Sequence, residues 1–103
     1  MAKKATINKE AKKEILRRFS RNLELAGEYI AFNAKLLCPV DTGRLRSSIE
    51  SKKEGKYKIK IGSNVEYAPF VELGTKYMSP RPFLMPGLLN NKEQIKKILT
   101  RKS

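Results

Sequence analysis

Few side chains in this sequence could transfer a proton, attack a substrate or bind a metal. The chain has no histidine and a single cysteine, Cys38, so neither an internal disulfide nor a cysteine–histidine zinc site can form within one chain. Cys38 ends an apolar stripe beside Pro39, which favours an inert buried thiol over a reactive one. With no paired nucleophile and base and no glycine-rich phosphate loop, the sequence predicts a protein that is not an enzyme and uses no cofactor.

Three carboxylates are the remaining candidates for a cation site. Asp41, Glu66 and Glu72 are scattered in the sequence, and a cluster of such residues could hold a hard cation. Ion pairs with Arg44 or Arg81 explain the same carboxylates as well. Both interpretations remain open at this point, and we predict no metal site.

The strongest compositional feature is positive charge. Lys and Arg number 23 against 10 Asp and Glu, a formal net charge of +13, which predicts attraction to polyanions. The segment KYKIK interleaves one aromatic residue with lysines but lacks the aromatic pairs of a base-stacking platform. Solvated side chains are the simpler explanation. The candidate contacts to DNA or to an acidic partner are Arg44, Arg46, Lys56, Lys58 and Lys60.

Length and hydropathy predict one small domain spanning residues 1–103. The chain is 40% hydrophobic, enough for one core and too short for two. No apolar run approaches the roughly 20 residues that span a bilayer, and no apolar segment follows the basic start. We expect a soluble protein with no secretion signal and no membrane partner.

The longest periodic pattern predicts a helix from Ile7 to Leu37. Apolar residues recur at steps of three and four, which lays them along one face. Asn8 is placed to cap the start, and Gly27 indicates a kink or a close approach to another backbone. The predicted buried stripe is Ala11, Ile15, Phe19, Leu23, Ala26, Ile30, Ala34 and Leu37.

A second set of apolar residues lies off this stripe and widens the apolar face in the second half of the helix. That half is therefore predicted to be covered on two sides. The cover could be the protein's own sheet or another subunit. The set comprises Leu16, Leu25, Tyr29, Phe32 and Leu36.

A tight connection follows the helix, at residues 39–43. Asp41 or Thr42 is predicted to accept hydrogen bonds from the next amides and to start a short helical turn. Two strands, Ser47–Lys53 and Lys56–Gly62, then flank a Glu-Gly turn. Alternation along KYKIKIG points Tyr57, Ile59 and Ile61 inward, toward the long helix.

The stretch after the hairpin combines a short element with a proline-rich arm. Residues 69–73 are predicted to form a short helix rather than a strand, with Pro69 in the first turn. Prolines bias the arm, residues 76–86, toward extended backbone, and a terminal helix is predicted over residues 87–101. The apolar residues within the arm indicate either a plug over the core or a segment docked on a neighbouring subunit. The candidate interface residues are Pro80, Arg81, Pro82, Phe83, Leu84, Met85 and Pro86.

Four short motifs follow one another after the long helix. They are Pro-x-Asp-Thr-Gly-x-Leu-x-x-Ser-Ile, Gly-Ser, Tyr-Ala-x-x-Val-Glu-x-Gly-Thr and Pro-x-Pro-Phe-Leu-x-Pro. The set resembles the tail-component family of long-tailed bacteriophages, whose members are called tail-completion or head-tail joining proteins. Gly87 stands where alanine is common, a departure expected to matter little. The matching positions are Pro39, Asp41, Thr42, Gly43, Leu45, Ser48 and Ile49; Gly62 and Ser63; Tyr67, Ala68, Val71, Glu72, Gly74 and Thr75; and Pro80, Pro82, Phe83, Leu84 and Pro86.

This resemblance implies an α+β fold: a long N-terminal helix packed on a small antiparallel sheet, a short central helix, a proline-rich arm and a C-terminal helix. It implies a structural virion protein of the phage neck, made in the host bacterial cytoplasm, that forms a hexameric ring and contacts other neck and tail proteins. A tail terminator ring protein and a small basic DNA-binding module are the alternatives. Non-specific proximity to DNA is compatible with each of them.

Overall fold

One long helix organises the fold. A computed structural model describes residues 8–39, 43–77 and 79–101 and measures 57 × 29 × 20 Å. Its α+β architecture confirms the predicted fold class. In chain order the elements are α1 (Lys9–Leu37), α2 (Gly43–Ser48), β1 (Glu50–Gly55), β2 (Lys58–Gly62), α3 (Ala68–Leu73), α4 (Leu84–Leu89) and α5 (Lys92–Leu99).

Helix α1 begins at the predicted cap. The Asn8 side-chain oxygen accepts a hydrogen bond from the Ala11 amide at 2.7 Å, which satisfies one of the amides that lack a partner within the helix. At 1.5 Å per residue the 29 residues of α1 extend about 43 Å. Both strands, α4 and α5 pack against this helix. Within the described ranges no helix is both long and apolar enough to cross a membrane.

The buried face of α1 differs in part from the predicted stripe. Ile15, Phe19 and Leu37 are exposed. Ile15 and Phe19 lie in the first turns of α1, beyond the elements that cover its middle, and Leu37 is the last residue of the helix. Small residues next to the stripe are buried in their place. The buried positions are Asn22, Ala26, Gly27, Ile30, Ala31 and Ala34.

Gly27 marks a close approach, as predicted, although the approaching atoms are side chains of the sheet. A Cβ at this position would lie 2.7 Å from the Ile59 Cγ2 and would also overlap the Ser51 side chain. A separation below about 3 Å forces atoms to move, and a β-branched isoleucine has little freedom to rotate away. The absence of a side chain at Gly27 therefore sets how closely β1 and β2 lie on α1.

The hairpin forms, but its turn lies later than predicted. Strands β1 and β2 pair antiparallel, with Ser51 opposite Ile61 and a bulge between Lys53 and Gly55. The prediction of a Glu-Gly turn was wrong: the turn is Lys56–Tyr57, because the bulge carries β1 on to Gly55. Tyr57 is half exposed and does not point into the core as predicted.

The predicted start of the first strand was also wrong. Ser47 and Ser48 belong to α2, where their hydroxyls donate to the carbonyl oxygens of Arg44 at 3.2 Å and Leu45 at 2.6 Å. Such local bonds compete with strand pairing and favour a helical turn. The strand consequently begins at Glu50.

The C-terminal region contains two short helices where one was predicted. Helix α3 has Pro69 in its first turn, as predicted. Pro86 likewise fits the first turn of α4, where a missing amide costs little. The Asn91 side chain donates to the Gly87 carbonyl oxygen at 2.8 Å, and the local bond separates α4 from α5.

The core forms two adjoining clusters along α1. The smaller one joins Ala26 and Ile30 of α1 to Ile95 of α5, and Ile61 of β2 packs against both clusters. The larger cluster contains Ala31, Ala34, Cys38, Leu45, Ile49, Val65, Ala68, Val71 and Phe83.

Substitution of Gly27 tests the close packing of helix and hairpin. Alanine is the better helix former by about 1 kcal/mol, yet we expect Gly27→Ala to lower the free energy of unfolding by about 1–3 kcal/mol because the new methyl group overpacks the contact. The measurement is equilibrium urea unfolding. Gly43→Ala is the control, since a Cβ at Gly43 would have no atom within 4 Å, and it should be neutral or stabilising. Wild-type stability of Gly27→Ala would contradict the packing described.

Candidate functional site

The carboxylate of Glu72 holds the end of the proline-rich arm. Its Oε1 accepts hydrogen bonds from the backbone amides of Phe83 at 3.1 Å and Leu84 at 2.9 Å, and its Oε2 accepts from Met85 at 3.3 Å. These amides lie at the start of α4, where no earlier carbonyl can reach them. A negative charge there also matches the helix dipole. Glu72 of α3 thus caps α4, although eleven residues separate it from Phe83 along the chain.

A second bond fixes the extended part of the arm. The Arg81 amide donates to the Val71 carbonyl oxygen at 2.8 Å. Two residues later Phe83 is completely buried, with 0% exposure, inside the larger core cluster. Phe83 is therefore a plug in the core of its own subunit. We do not include it in the proposed subunit interface.

The other predicted interface residues divide by exposure. Pro80, Arg81 and Pro82 are exposed, and Met85 is 52% exposed. Leu84 and Pro86 are half-buried. Because Met85 and Pro86 lie in α4, the arm is not extended to its end as predicted. It presents an exposed Pro-Arg-Pro segment, and Met85 in the first turn of α4 is exposed beside it.

Arg44 pairs with one of the candidate carboxylates. Its guanidinium donates to both carboxylate oxygens of Glu66 at 3.2 and 3.3 Å and lies 5.7 Å from the ring centre of Tyr67. A hydrogen bond of the Glu66 carboxylate with its own backbone amide, and next the bond from Arg44, hold the pKa of Glu66 below its usual value of 4.5. The pair links α2 to the segment before α3.

Arg46 closes the end of the long helix. Its guanidinium donates to the carbonyl oxygens of Lys35 at 3.0 Å and Cys38 at 3.4 Å, and the Lys35 oxygen also accepts from the Cys38 amide at 3.3 Å. The sequence favours solvated side chains for Arg44 and Arg46 and leaves contacts to an acidic partner as the alternative. Both in fact have partners within the chain.

The predicted lysine surface on the hairpin is partly neutralised. The ammonium groups of Lys58 and Lys60 lie 3.6 and 3.9 Å from the carboxylate of Glu54. Lys56 is separate from them, at the hairpin turn. The strand face therefore carries both charges, and we expect it to attract polyanions less strongly than its lysines alone would.

An exposed apolar stripe lies on the outer face of α1. Leu25, Phe32 and Leu36 are 44, 58 and 61% exposed. Their spacing of seven and four residues places them on one side of the helix, opposite Ile30 and Ala34 in the core. The sequence indicated a second covered side for this half of α1. Within the described residues, Tyr29 on that side packs on the smaller core cluster, whereas Leu25, Phe32 and Leu36 remain exposed. We call these three residues the outer stripe.

A family model described as "Bacteriophage HK97-gp10, putative tail-component" matches residues 3–74. This chain belongs to that HK97-gp10-like family. The predicted resemblance to a family of phage tail components is thereby confirmed. No curated protein and no solved structure matches the chain. The matched region includes α1, the hairpin and Glu72, and it ends just before the arm.

The tail-component motifs fall mainly on structural positions. Pro39, Leu45 and Ala68 are buried, and Tyr67 packs on the larger core cluster. Gly74 ends α3 with a φ of 80°, a conformation that favours glycine. Gly43 starts α2, while Asp41 and Thr42, with their predicted capping role, lie outside the described residues. The Thr75 hydroxyl accepts from the Tyr77 amide at 3.1 Å.

Nothing in the described part of the chain brings three cysteine or acidic residues together as metal ligands. Glu66 and Glu72 instead bind a guanidinium and three backbone amides. Arg44 is one of the alternative partners that the sequence allows for these carboxylates, and the structure pairs it with Glu66. The contact of Glu72 with the arm was not predicted. The carboxylate and the amides are eleven to thirteen residues apart, and no repeating pattern in the sequence relates them.

Removal of the Glu72 carboxylate tests the anchoring of the arm. We expect Glu72→Ala to lower the free energy of unfolding by about 2 kcal/mol, because three amides lose a charged acceptor while water replaces part of the interaction. Glu72→Gln, which keeps one oxygen acceptor, should lose less. Urea unfolding measures the stability, and limited proteolysis measures arm release. Glu28→Ala, an exposed position on α1, is the control, and equal stability of Glu72→Ala and this control would contradict the anchor.

The pairing of Arg44 with Glu66 predicts a defined pH response. A carboxylate whose pKa is lowered in the folded chain stabilises the fold above its unfolded pKa, and this contribution is lost as the pH falls through the lowered value. Arg44→Gln should raise the pKa of Glu66 toward 4.5 without reaching it, since the bond to its own amide remains. Carboxyl-carbon NMR titration measures both values. An unchanged midpoint in Arg44→Gln would rule out the pair in solution.

Proposed function

We propose that this tail component is a tail-completion or head-tail joining subunit that assembles as a sixfold ring at the head-proximal end of the phage tail. Family membership supports a structural role in the virion and contacts with other tail proteins. The observation that carries the ring assembly is the outer stripe of Leu25, Phe32 and Leu36. Large apolar side chains in a row on a helix are unfavourable in water and are characteristic of protein interfaces.

The outer stripe alone gives too little energy to hold two subunits together. Complete burial of a large apolar side chain contributes about 1.5–3 kcal/mol, so three half-exposed residues contribute about 3 kcal/mol. Association costs about 4–15 kcal/mol in lost translational and rotational freedom. A second contact surface must therefore join the stripe.

The exposed part of the arm is the surface proposed to meet the outer stripe. A ring needs a heterologous contact, in which one patch of a subunit meets a different patch of the next. Pro80, Arg81, Pro82 and Met85 form such a patch, and Glu72 orders it before any neighbour binds. An ordered segment loses less entropy on docking. The half-buried Leu84 and Pro86 lie at its edge.

The test separates interface residues from core residues. We expect Phe32→Ser combined with Leu36→Ser to leave the subunit folded, since both side chains are more than half exposed. Two of the three stripe residues carry about 2 kcal/mol of the contact, and their loss should weaken subunit association about 30-fold. In a phage deleted for this gene, the double variant should then fail to join full heads to tails. Negative-stain microscopy counts the joined particles, and thermal unfolding checks the fold.

A matched double variant controls for loss of surface apolar area. Phe70→Ser with Leu73→Ser removes side chains that are 55 and 75% exposed on α3, outside the stripe and the arm, and should still complement the deletion. Failure of both double variants would argue against the stripe as the interface. Joined particles from the deletion phage without any complementing gene would contradict the joining function itself.

A further inference from the structure

Basic side chains converge on a cleft between the first half of α1 and the turn of the hairpin. The cleft has a volume of about 600 Å³ and no carboxylate among its lining residues. We call it the basic cleft. Its lining residues are the cations Lys13, Arg17, Arg21, Lys53 and Lys56, together with Leu16, Ser20 and Tyr57.

The walls of the basic cleft are held in place by one serine. The Ser20 hydroxyl donates to the Lys56 carbonyl oxygen at 2.7 Å and accepts from the Lys53 ammonium at 2.8 Å. The Tyr57 ring packs on Phe19 with ring centres 6.3 Å apart. The hairpin turn is thus fixed against α1, on the face where Lys13 and Arg17 recur at helical spacing.

The charge of the basic cleft is largely uncompensated. Arg17 pairs with Glu14 at 3.0 Å, and both side chains are exposed, so the pair is weak. Within the described ranges the side chains of Lys13, Arg21 and Lys56 make no ion pair or hydrogen bond. Elsewhere on the hairpin a carboxylate accompanies the lysines. The excess positive charge of this region is therefore concentrated in the cleft.

We propose that the basic cleft binds the phosphate backbone of double-stranded DNA without reading its sequence. Duplex DNA presents about one negative charge per 1.7 Å, and each phosphate neutralised by Lys or Arg releases condensed counterions. The lysines are flexible point charges, suited to a repeating row of phosphates rather than to a fixed carboxylate. Tyr57 is the one aromatic residue in the cleft, too few for stacking on a single strand.

This site differs from the lysine and arginine surface predicted from the sequence. Of the five predicted contacts, Lys56 alone lies in the basic cleft. Lys58 and Lys60 share Glu54, and the two arginines bind partners within the chain. The proposal does not depend on ring assembly, because all lining residues belong to one subunit.

The test compares two triple variants of equal charge change in the full chain. Lys13→Gln, Arg21→Gln and Lys56→Gln remove cleft charges, whereas Lys52→Gln, Lys58→Gln and Lys60→Gln remove charges from β1 and β2 outside the cleft lining. Fluorescence anisotropy with a duplex of about 20 base pairs measures affinity between about 50 and 200 mM salt, where binding is strongly salt-dependent. Circular dichroism melting confirms that both variants fold.

The expected results follow from counterion release. Five phosphate contacts give a slope of log affinity against log salt of about −4.5, so wild-type affinity should fall about 500-fold over this range. The cleft variant should retain a slope of about −1.8 and fall about 10-fold, whereas the hairpin variant should stay close to wild type. Duplexes rich in A·T and in G·C should bind equally.

Three results would overturn the proposal. Equal weakening by both triple variants would assign binding to net charge rather than to the cleft. Tighter binding of polyglutamate than of DNA by the wild-type chain would indicate an acidic protein partner. A strong preference for one duplex sequence would contradict backbone recognition. Each result concerns the isolated subunit, so it leaves the joining function to be decided by the complementation experiment.

Discussion

The structure depends on the absence of side-chain bulk along one face of α1. Gly27 admits the side chains of the hairpin, and Ala34 admits the backbone of α4 at Gly87. A Cβ at Gly87 would lie 3.1–3.3 Å from the backbone and Cβ of Ala34, so the absence of a side chain at Gly87 matters more than expected from the sequence. Larger residues at these points would push away the sheet or α4. The hairpin and α4 then could not share one core.

The Glu72 carboxylate extends that core to a segment with little regular structure of its own. Helix α4 has six residues, too few to be stable alone, and its Phe83 cap contributes no side-chain bond. A carboxylate from α3 supplies the missing acceptor, and Phe83 anchors the same segment from within. One motif of the tail component therefore provides the anchor, and the following motif provides the segment that is anchored.

The elements with local periodicity were predictable, and the contacts between them were not. The spacing in α1, the alternation in β2 and the position of Pro69 each depend on neighbours within a few residues. Exposure of Ile15 and Phe19 depends on where the covering elements stop, which no local pattern records. The hairpin turn lies later than predicted because of a bulge after Lys53. Such a bulge depends on pairing between the two strands, which the sequence of one strand does not show.

The candidate sites show the same division. The motifs identified the family, and Glu66 and Glu72 were candidate carboxylates from the sequence, but the amides that Glu72 binds lie eleven to thirteen residues further along the chain. The basic cleft joins residues near position 13 with residues near position 56. The excess of basic residues could be predicted from the net charge. Their position in one cleft could not, because it depends on how the hairpin packs on α1. The apolar residues of the arm were compatible with a plug or a docking segment, and the buried Phe83 is a plug in the larger core cluster.

The net charge of +13 opposes any packing of identical subunits by mutual repulsion. The outer stripe lies in the second half of α1 and the basic cleft in the first, so one subunit can use both at once. A polyanion in the cleft would cancel part of that repulsion and make neighbouring copies easier to bring together. By thermodynamic reciprocity, subunits already joined would hold the polyanion more tightly. The long helix would then couple polymer binding to assembly without a change of shape.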